Sequence, residues 1–275
     1  MRLRTRVAAL AVAALASLGL AACGGDSGSG NGDGPLRVGA SPVPHAEILR
    51  YVADELAPAQ GLQLEIIEIN DYVTPNTSLA EGSLDANYFQ HVPYLEQFEA
   101  DRGVDFEPVA GVHLEPLAAF STKVNSLSEL PDGATVAIPN DPTNAARALK
   151  LLADNGLLQI APGTERTATV RDVVANPKNL QLSELEAAQL PRSLEDVDLA
   201  VINGNYALQA GLDPAGGSLA VESAENNPYT NVLVTRKELV QDPRVQKLAE
   251  LLTSQQVRDY IQNTYRGAVI PSTTS

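Results

Sequence analysis

One stretch, from Ala134 to Leu152, restricts the fold more than any other part of the chain. It begins with a short apolar run, Ala134 to Ile138, which is typical of a buried strand. Asp141 then occupies the position of a helix N-cap and Pro142 the first helical position. Apolar residues at helical spacing follow, and Gly156 can end the helix. The stretch therefore predicts a strand, a tight turn and a helix whose N-terminus lies beyond the strand end.

The start of this predicted helix is a favourable place for an anion, because its free N–H groups and its dipole both attract negative charge. Arg147 lies within two turns of it and can bind a carboxylate through paired N–H groups. We interpret the segment as a carboxylate-binding corner. An ordinary capped helix with a surface arginine is the alternative that these residues alone leave open.

Strands and helices alternate along the rest of the chain, which indicates an α/β fold. A strand at Leu36 to Ala40, a helix from His45 to Leu56 and a strand from Leu62 to Ile69 form a βαβ unit, which favours a parallel sheet. Tyr72 follows the second strand directly, before a helix that Thr74 can cap. Ligands of open α/β sheets bind at the carboxyl ends of strands, so Tyr72 and Arg147 are expected to face the same crevice.

The N-terminus indicates export. Three arginines near the start precede an apolar run from residue 7 to residue 20, and Leu20-Ala21-Ala22-Cys23 ends it with small residues. Residues 1–22 are therefore predicted to be a signal peptide. Leu20 to Cys23 resembles the bacterial lipobox, which predicts acylation of Cys23 and a lipid anchor. Residues 23–34 are rich in Gly, Ser and Asp and are predicted to form a flexible tether.

Composition and motifs exclude several classes of function. A formal charge of −15 is unsuited to nucleic-acid binding, which depends on a basic surface. The sequence contains neither a phosphate-binding glycine loop nor a Gly-x-Ser-x-Gly motif, and its single cysteine is Cys23, so catalysis and a cofactor are not expected. His45, His91 and His113 could bind a metal ion, but their irregular spacing does not favour it.

The remaining candidates are polar or aromatic residues predicted to lie at strand ends and loops around one cleft. They are Tyr72, Phe89, His91, Asn144, Arg147, Asn203 and Asn231. Together they suit a small zwitterion, since the arginine can bind a carboxylate and asparagine oxygens can accept from an ammonium group. The rings can enclose an apolar side chain, and a thioether packs well against aromatic rings.

Three stretches carry a resemblance to a known family. They are Asn70 to Asn76, Ala86 to His91, and Asn140 to Asn144 with Arg147. Each resembles a signature of the methionine-binding lipoprotein family, the substrate-binding proteins of methionine ABC importers. The resemblance extends from Leu36 to the C-terminus.

The resemblance implies a two-lobed, type II periplasmic-binding-protein fold that closes on its ligand about a hinge. Each lobe would be a mostly parallel sheet flanked by helices, with the cleft between them. Residues 35–116 and 235–275 would form lobe 1, and residues 117–234 lobe 2.

The resemblance also implies roles for the candidate residues. Arg147 would bind the ligand carboxylate, Asn203 and Asn231 its amino and carboxyl groups, and Asn144 would line the same corner. Tyr72, Phe89 and His91 would surround the side chain.

The implied function is capture of methionine, as the L- and possibly the D-enantiomer, and its delivery to an ABC permease driven by a cytoplasmic ATPase. The protein would be a monomer, anchored to the cell membrane at its extracytoplasmic face. A receptor for a metal ion or for a methionine-containing dipeptide, an extracytoplasmic hydrolase or isomerase, and a surface adhesin remain alternatives at this point.

Overall fold

The computed structural model describes residues 34–272. The predicted signal peptide, Cys23 and the tether up to residue 33 lie outside these residues. Thirteen strands and eight α-helices are formed within the described residues. The strands are β1 Leu36–Ala40, β2 Leu64–Glu68, β3 Ala86–His91, β4 Phe106–Leu114, β5 Ala118–Phe120, β6 Thr135–Pro139, β7 Gln159–Ile160, β8 Val173–Ala175, β9 Gln181–Leu185, β10 Leu199–Ile202, β11 Ala220–Val221, β12 Thr230–Arg236 and β13 Ile270–Pro271. The helices are α1 Glu47–Tyr51, α2 Thr74–Ala80, α3 Val92–Arg102, α4 Pro142–Asp154, α5 Leu190–Ser193, α6 Gly204–Gln209, α7 Pro243–Leu252 and α8 Gln255–Tyr265.

Two larger sheets organise the molecule and correspond to the two lobes. The first has six strands in the order β13-β4-β12-β3-β1-β2, and the second has five in the order β11-β5-β10-β6-β9. The two-lobed α/β class is thus confirmed. The parallel pairing expected for most strands is found in β2-β1-β3 and in β10-β6-β9, whereas β12, β4 and β13 in the first sheet and β5 and β11 in the second pair antiparallel.

Each sheet is covered by helices that bury its apolar side chains. Around the first sheet, Leu49, Leu248 and Ile261 from α1, α7 and α8 pack in one cluster with the strands. Leu149 of α4 packs in a second cluster with β6 and β10. Full burial of such leucine and isoleucine side chains contributes about 1.5–3 kcal/mol each to stability. None of the helices between residues 34 and 272 has the length and apolar composition of a membrane span.

The chain passes between the two sheets twice, from β4 to β5 and from β11 to β12. β12 lies in the first sheet between β3 and β4, so the second crossing falls just before Thr230 by strand order. The predicted limit of lobe 2, residue 234, lies a few residues later, within β12. The limits of the two lobes stay a prediction.

Two local predictions were wrong, each because a competing interaction prevails. Thr74 does not cap α2; the Asp71 carboxylate instead accepts from the N–H groups of Val73 and Thr74, at 2.8 and 2.7 Å. The sequence from Arg171 to Ala175, stopped by Asn176-Pro177, predicts a short helix, but the structure has a 3₁₀ turn followed by β8, because β8 pairs with β7. The predicted helix from His45 to Leu56 is confirmed, as α1 with π-helical turns at both ends.

Candidate binding site

A small cavity lies where β3 and β12 of the first sheet face α4 and α6 of the second. All seven residues predicted to bind a ligand contribute to its wall: Tyr72, Phe89, His91, Asn144, Arg147, Asn203 and Asn231. Five further residues line it: Gln90, Tyr94, Glu115, Gly204 and Asn205. The structure therefore brings together side chains separated by up to 159 positions, while their roles toward a ligand stay a prediction.

Arg147 reaches the cavity from the second turn of α4. The helix begins as predicted, with the Asp141 side chain accepting from the Asn144 N–H at 3.0 Å. The Arg147 guanidinium is buried, and it donates from Nε and Nη2 to the Glu222 carboxylate at 3.0 and 2.6 Å. Nη2 also donates to the main-chain oxygen of Glu115 at 3.1 Å, and the Tyr229 ring lies 4.2 Å from Cζ. Arg147 is thus held rigidly by groups around it.

The Arg147–Glu222 pair remains charged despite burial. Burial alone would lower the pKa of Arg147, but the Glu222 carboxylate outweighs it and the pKa is raised. Burial would likewise raise the pKa of Glu222, but Arg147 and the Leu117 N–H hold that pKa below its ordinary value. The guanidinium therefore enters the cavity wall as half of an ion pair.

Three N–H donors converge on a single oxygen, Asn144 Oδ1. They come from Asn203 Nδ2 at 2.9 Å, Arg147 Nη1 at 3.2 Å and His91 Nε2 at 3.3 Å. The orientation of the Asn144 amide follows from its other end, because Nδ2 donates to both oxygens of Asp141 at 2.9 and 3.1 Å. One carbonyl oxygen has two lone pairs, so this corner holds more donors than Asn144 can satisfy well.

His91 is a neutral donor in this corner. Burial, and secondarily the charge of Arg147, lower its pKa to about 3. Its Nδ1 accepts from the Tyr94 N–H at 3.2 Å and caps α3, so Nε2 carries the proton and points to Asn144. The register of the sheet places Asn231 of β12 directly between His91 of β3 and His113 of β4.

Beside the donors lies a buried carboxylate, Glu115, which sequence reasoning missed. Its Oε1 lies 2.7 Å from His113 Nε2 and 3.2 Å from His45 Nε2. His45 Nε2 also lies 3.0 Å from Asn231 Oδ1, and His113 Nδ1 is hydrogen-bonded to the Tyr88 hydroxyl. These partners place the proton of both imidazoles on Nε2, so each donates toward Glu115.

The histidines around Glu115 are neutral near pH 7. Burial lowers the pKa of His45 to about 4 and that of His113 to about 3. Burial also raises the pKa of Glu115, against the opposing influence of His45 and Arg147. A cation close to this carboxylate would reverse that penalty and favour its ionised form.

The three histidines considered as metal ligands do not all come together in the structure. His45 and His113 do approach each other, with Glu115, but His91 bonds Asn144 and is outside the group that forms within residues 34–272. The 2.7 Å between His113 Nε2 and Glu115 Oε1 is a hydrogen-bond distance. Two zinc ligands, each about 2.0–2.1 Å from the ion at a tetrahedral angle, lie farther apart than this. In this arrangement His113 Nε2 and Glu115 Oε1 are hydrogen-bonded to each other rather than spaced as two ligands of one zinc ion.

Aromatic rings form the opposite wall. Tyr72 lies 6.0 Å from Phe89, 5.8 Å from Tyr94 and 5.1 Å from Tyr206, measured between ring centroids. Two hydroxyl groups fix the rings, since Tyr72 donates to Asn205 Oδ1 at 2.6 Å and Tyr94 to the main-chain oxygen of Tyr72 at 2.8 Å. The ring faces are thus presented in a set arrangement.

Asn205 and Gly204 also contribute, although no role was expected for Asn205. Its backbone N–H acts to lower the pKa of Glu115, and its side-chain oxygen accepts from the Tyr72 hydroxyl. Gly204 allows this approach, because a Cβ there would lie 2.8 Å from Glu115 Cβ. Within the described residues, Asn203 Oδ1 is buried without a hydrogen-bond partner, which leaves a free acceptor in a residue that lines the cavity. In the sequence, this part of the site was indicated only by Glu115, an acidic residue at the end of the mostly apolar strand β4.

Residues 36–273 match the model of the family described as NlpA lipoprotein. The chain belongs to the NlpA lipoprotein family. Among its relatives, the D-methionine-binding lipoprotein MetQ of Escherichia coli K12 is 44% identical over 227 residues, which cover 82% of each chain. The membrane lipoprotein TpN32 of Treponema pallidum is 41% identical over 238 residues, 86% of this chain and 88% of the relative.

Solved structures agree with this membership in the NlpA lipoprotein family. A nutrient-binding protein from Burkholderia cenocepacia, solved bound to methionine, has a TM-score of 0.83 and 41% identity, covering 86% of this chain and 99% of its own. The methionine-binding protein MetQ has a TM-score of 0.84 at 41% identity, covering 87% and 98%. These similarities extend over both sheets and confirm the predicted fold and family.

Proposed function

We propose that this protein is the methionine-binding, lipid-anchored substrate-binding protein of an ABC importer. The observation that carries the proposal is the composition of one cavity, in which anion-binding donors, a buried carboxylate and aromatic rings meet. Relatives named for methionine binding, at 44% identity, support the same ligand.

Donors for the ligand carboxylate and acceptors for its ammonium lie side by side. Arg147 and Glu115 both line the cavity, and Arg147 Nη2 donates to the main-chain oxygen of Glu115, so the two residues are neighbours in its wall. An α-amino acid carries its carboxylate and ammonium on one carbon and therefore needs this adjacency. In the proposed complex, Arg147 Nη1 and Asn203 Nδ2 bind the carboxylate, while the Glu115 carboxylate and Asn203 Oδ1 accept from the ammonium.

The aromatic wall suits the methionine side chain. The rings of Tyr72, Phe89 and Tyr94 line the same cavity as Arg147 and Glu115, with their centroids about 6 Å apart, and offer faces and edges to a thioether. Sulfur–aromatic contacts contribute about 0.3–1.5 kcal/mol each, and the unbranched chain of methionine adapts to a narrow slot.

Acylated Cys23 would hold the protein to the extracytoplasmic face of the cell membrane, with the tether to residue 34 leaving the folded part free to move. From there it would deliver methionine, as a monomer, to the permease subunit and its cytoplasmic ATPase. Relatives named as membrane lipoproteins support the anchor.

Isothermal titration calorimetry tests the proposal. The chain without its first 23 residues retains all the residues that the structure describes, 34–272. It would be unfolded and refolded to remove bound ligand and then titrated with L-methionine, D-methionine, leucine, glutamine and a glycyl-methionine dipeptide. The proposal predicts stoichiometric binding of methionine and much weaker binding of leucine and glutamine. Folded protein that binds neither methionine enantiomer would overturn it.

A further inference from the structure

Glu222 is a half-buried acid, its side chain 14% exposed, that does not line the cavity but forms an ion pair with Arg147. It follows β11, on the second crossing between the sheets. Besides Arg147, its Oε2 accepts from the Leu117 N–H at 3.2 Å, and its own N–H donates to the Leu117 oxygen at 2.8 Å. Leu117 belongs to the first crossing. Glu222 therefore joins both crossing segments to the guanidinium.

The pair with Glu222 determines which atoms of Arg147 remain for a ligand. A guanidinium has five N–H donors. Two donate to Glu222, one to the Glu115 oxygen and one to Asn144 Oδ1, which leaves one on Nη1. The Nε–Nη2 edge, which forms the usual side-on fork with a carboxylate, is occupied. Only the Nη1 end is presented to the cavity.

Glu222 also removes the net positive charge of this corner. The ionisable residues that line the cavity are Tyr72, His91, Tyr94, Glu115 and Arg147. Burial keeps both tyrosines and His91 uncharged near neutral pH. With Arg147 paired to Glu222, the one charge without a counter-ion in the lining is that of Glu115. A ligand with a carboxylate and no ammonium would add negative charge to a cavity that has no free positive charge.

We infer that Glu222 is the positioning residue that makes the cavity select zwitterions over simple carboxylic acids with the same side chain. This inference rests on the proposed binding of methionine. By holding and neutralising Arg147, Glu222 limits the guanidinium to a hydrogen-bond donor for the ligand carboxylate, and the ammonium contact with Glu115 supplies the decisive charge pairing.

The test compares two ligands and three variants. The ligands are methionine and 4-(methylthio)butanoate, which is methionine without its amino group. In Glu222→Gln the shape and one acceptor remain but the charge is lost, so Arg147 becomes a free cation. In this variant the affinity for methionine divided by the affinity for the butanoate should fall by about ten-fold or more, mainly because the butanoate binds more tightly. Glu222→Asp, which keeps the charge, should keep the ratio even if both affinities fall.

The control is Glu225→Gln, an exposed acid on the same loop, which removes the same charge without contact to Arg147 and should change neither affinity. A purely structural Glu222 would weaken both ligands equally. An unchanged ratio in folded Glu222→Gln overturns the inference while leaving methionine binding intact. If Glu222→Gln does not fold, a narrowed ratio in Glu222→Asp overturns it. Failure of the wild type to bind methionine would instead reject the proposed function.

Discussion

At the scale of single residues, Glu115 is the residue that we propose pairs with the ligand ammonium. It is 5% exposed and accepts from His45 and His113. A carboxylate in such a setting has lost most of its hydration, so a bound ammonium group restores a favourable partner.

Glu115→Gln should therefore weaken methionine binding by about 2–5 kcal/mol, since it leaves the ligand ammonium without its charged partner. The measurement is calorimetric titration of wild type and variant. The affinity for 4-(methylthio)butanoate, which has no ammonium, should change little or improve. Equal loss for both ligands would show that Glu115 acts only on the shape of the site.

The donors of the site could be predicted from the sequence, but its acceptors only in part. Arg147 and Asn144 follow a local pattern, a capped helix after a strand, which needs no knowledge of distant contacts. Glu115 and Asn205 become neighbours only because α6 packs against the end of β4, with Gly204 allowing the approach. Their roles depend on tertiary structure that no local pattern encodes.

At the scale of elements, the N-cap of α4 connects stability with binding. Asp141 accepts from the Asn144 N–H and the Thr143 hydroxyl, and it holds the Asn144 amide through Nδ2. The same Asp-Pro start occurs at α7, where Asp242 accepts from the Arg244 N–H far from the cavity lining. Asp242 therefore serves as a matched control for substitutions of Asp141.

Asp141→Ala should lower the free energy of unfolding by about 0.5–2 kcal/mol through loss of the cap. It should also weaken methionine binding by about ten-fold, because the freed Asn144 amide no longer fixes the corner. Asp242→Ala should cost similar stability, measured by urea unfolding, and leave the affinity unchanged. Comparable affinity losses in both variants would mean that the effect of Asp141 is general destabilisation.

Elements with local signals were predicted well, and those made by pairing were not. Asp141, Asp242 and Ser254 cap α4, α7 and α8 as their sequences indicate. β8 was mistaken for helix because its strand state depends on pairing with β7. β13 exists only because it pairs with β4, more than 150 residues away in sequence.

At the scale of the whole molecule, three buried neutral histidines couple stability to pH. The pKa of His91 is about 3 in the folded protein, and the pKa of an unfolded histidine is about 6.5. The unfolded chain therefore binds a proton as pH falls below about 6.5, while the folded protein does not until near 3. Stability from His91 is fully present above the unfolded pKa and is lost progressively as pH falls toward the folded one.

His91→Gln isolates this contribution, since Gln can still donate toward Asn144 but does not titrate. The variant should be less stable than wild type at pH 7.5, and the difference should shrink by about 2–3 kcal/mol by pH 4.5, at 1.36 kcal/mol per pKa unit. Urea unfolding at both pH values measures it. A difference independent of pH would contradict a neutral buried His91. Burial raises the pKa values of Glu115 and Asp141, so these acids change stability with pH in the opposite direction to His91. Both are present in wild type and variant and therefore cancel in the comparison.

The alternation of strands and helices predicted the α/β class, and the family resemblance predicted the two lobes. The mixed pairing of the first sheet was not foreseen, because β12 returns from the second sheet and inserts between β3 and β4. This insertion brings Asn231 beside His91 and His113. The antiparallel return therefore completes the cavity wall that the N-terminal strands begin.

Anomalous diffraction from crystals of the methionine complex tests directly whether methionine binds in this cavity with its sulfur among the aromatic rings. The sequence contains one methionine, Met1, and one cysteine, Cys23, so the chain without its first 23 residues has no sulfur apart from an added initiator methionine. A sulfur in the cavity can then come only from the ligand. We expect one peak among the rings of Tyr72, Phe89 and Tyr94, with the carboxylate at Arg147 and the ammonium at Glu115. A peak beside Arg147, or none in the cavity at saturating methionine, would contradict it.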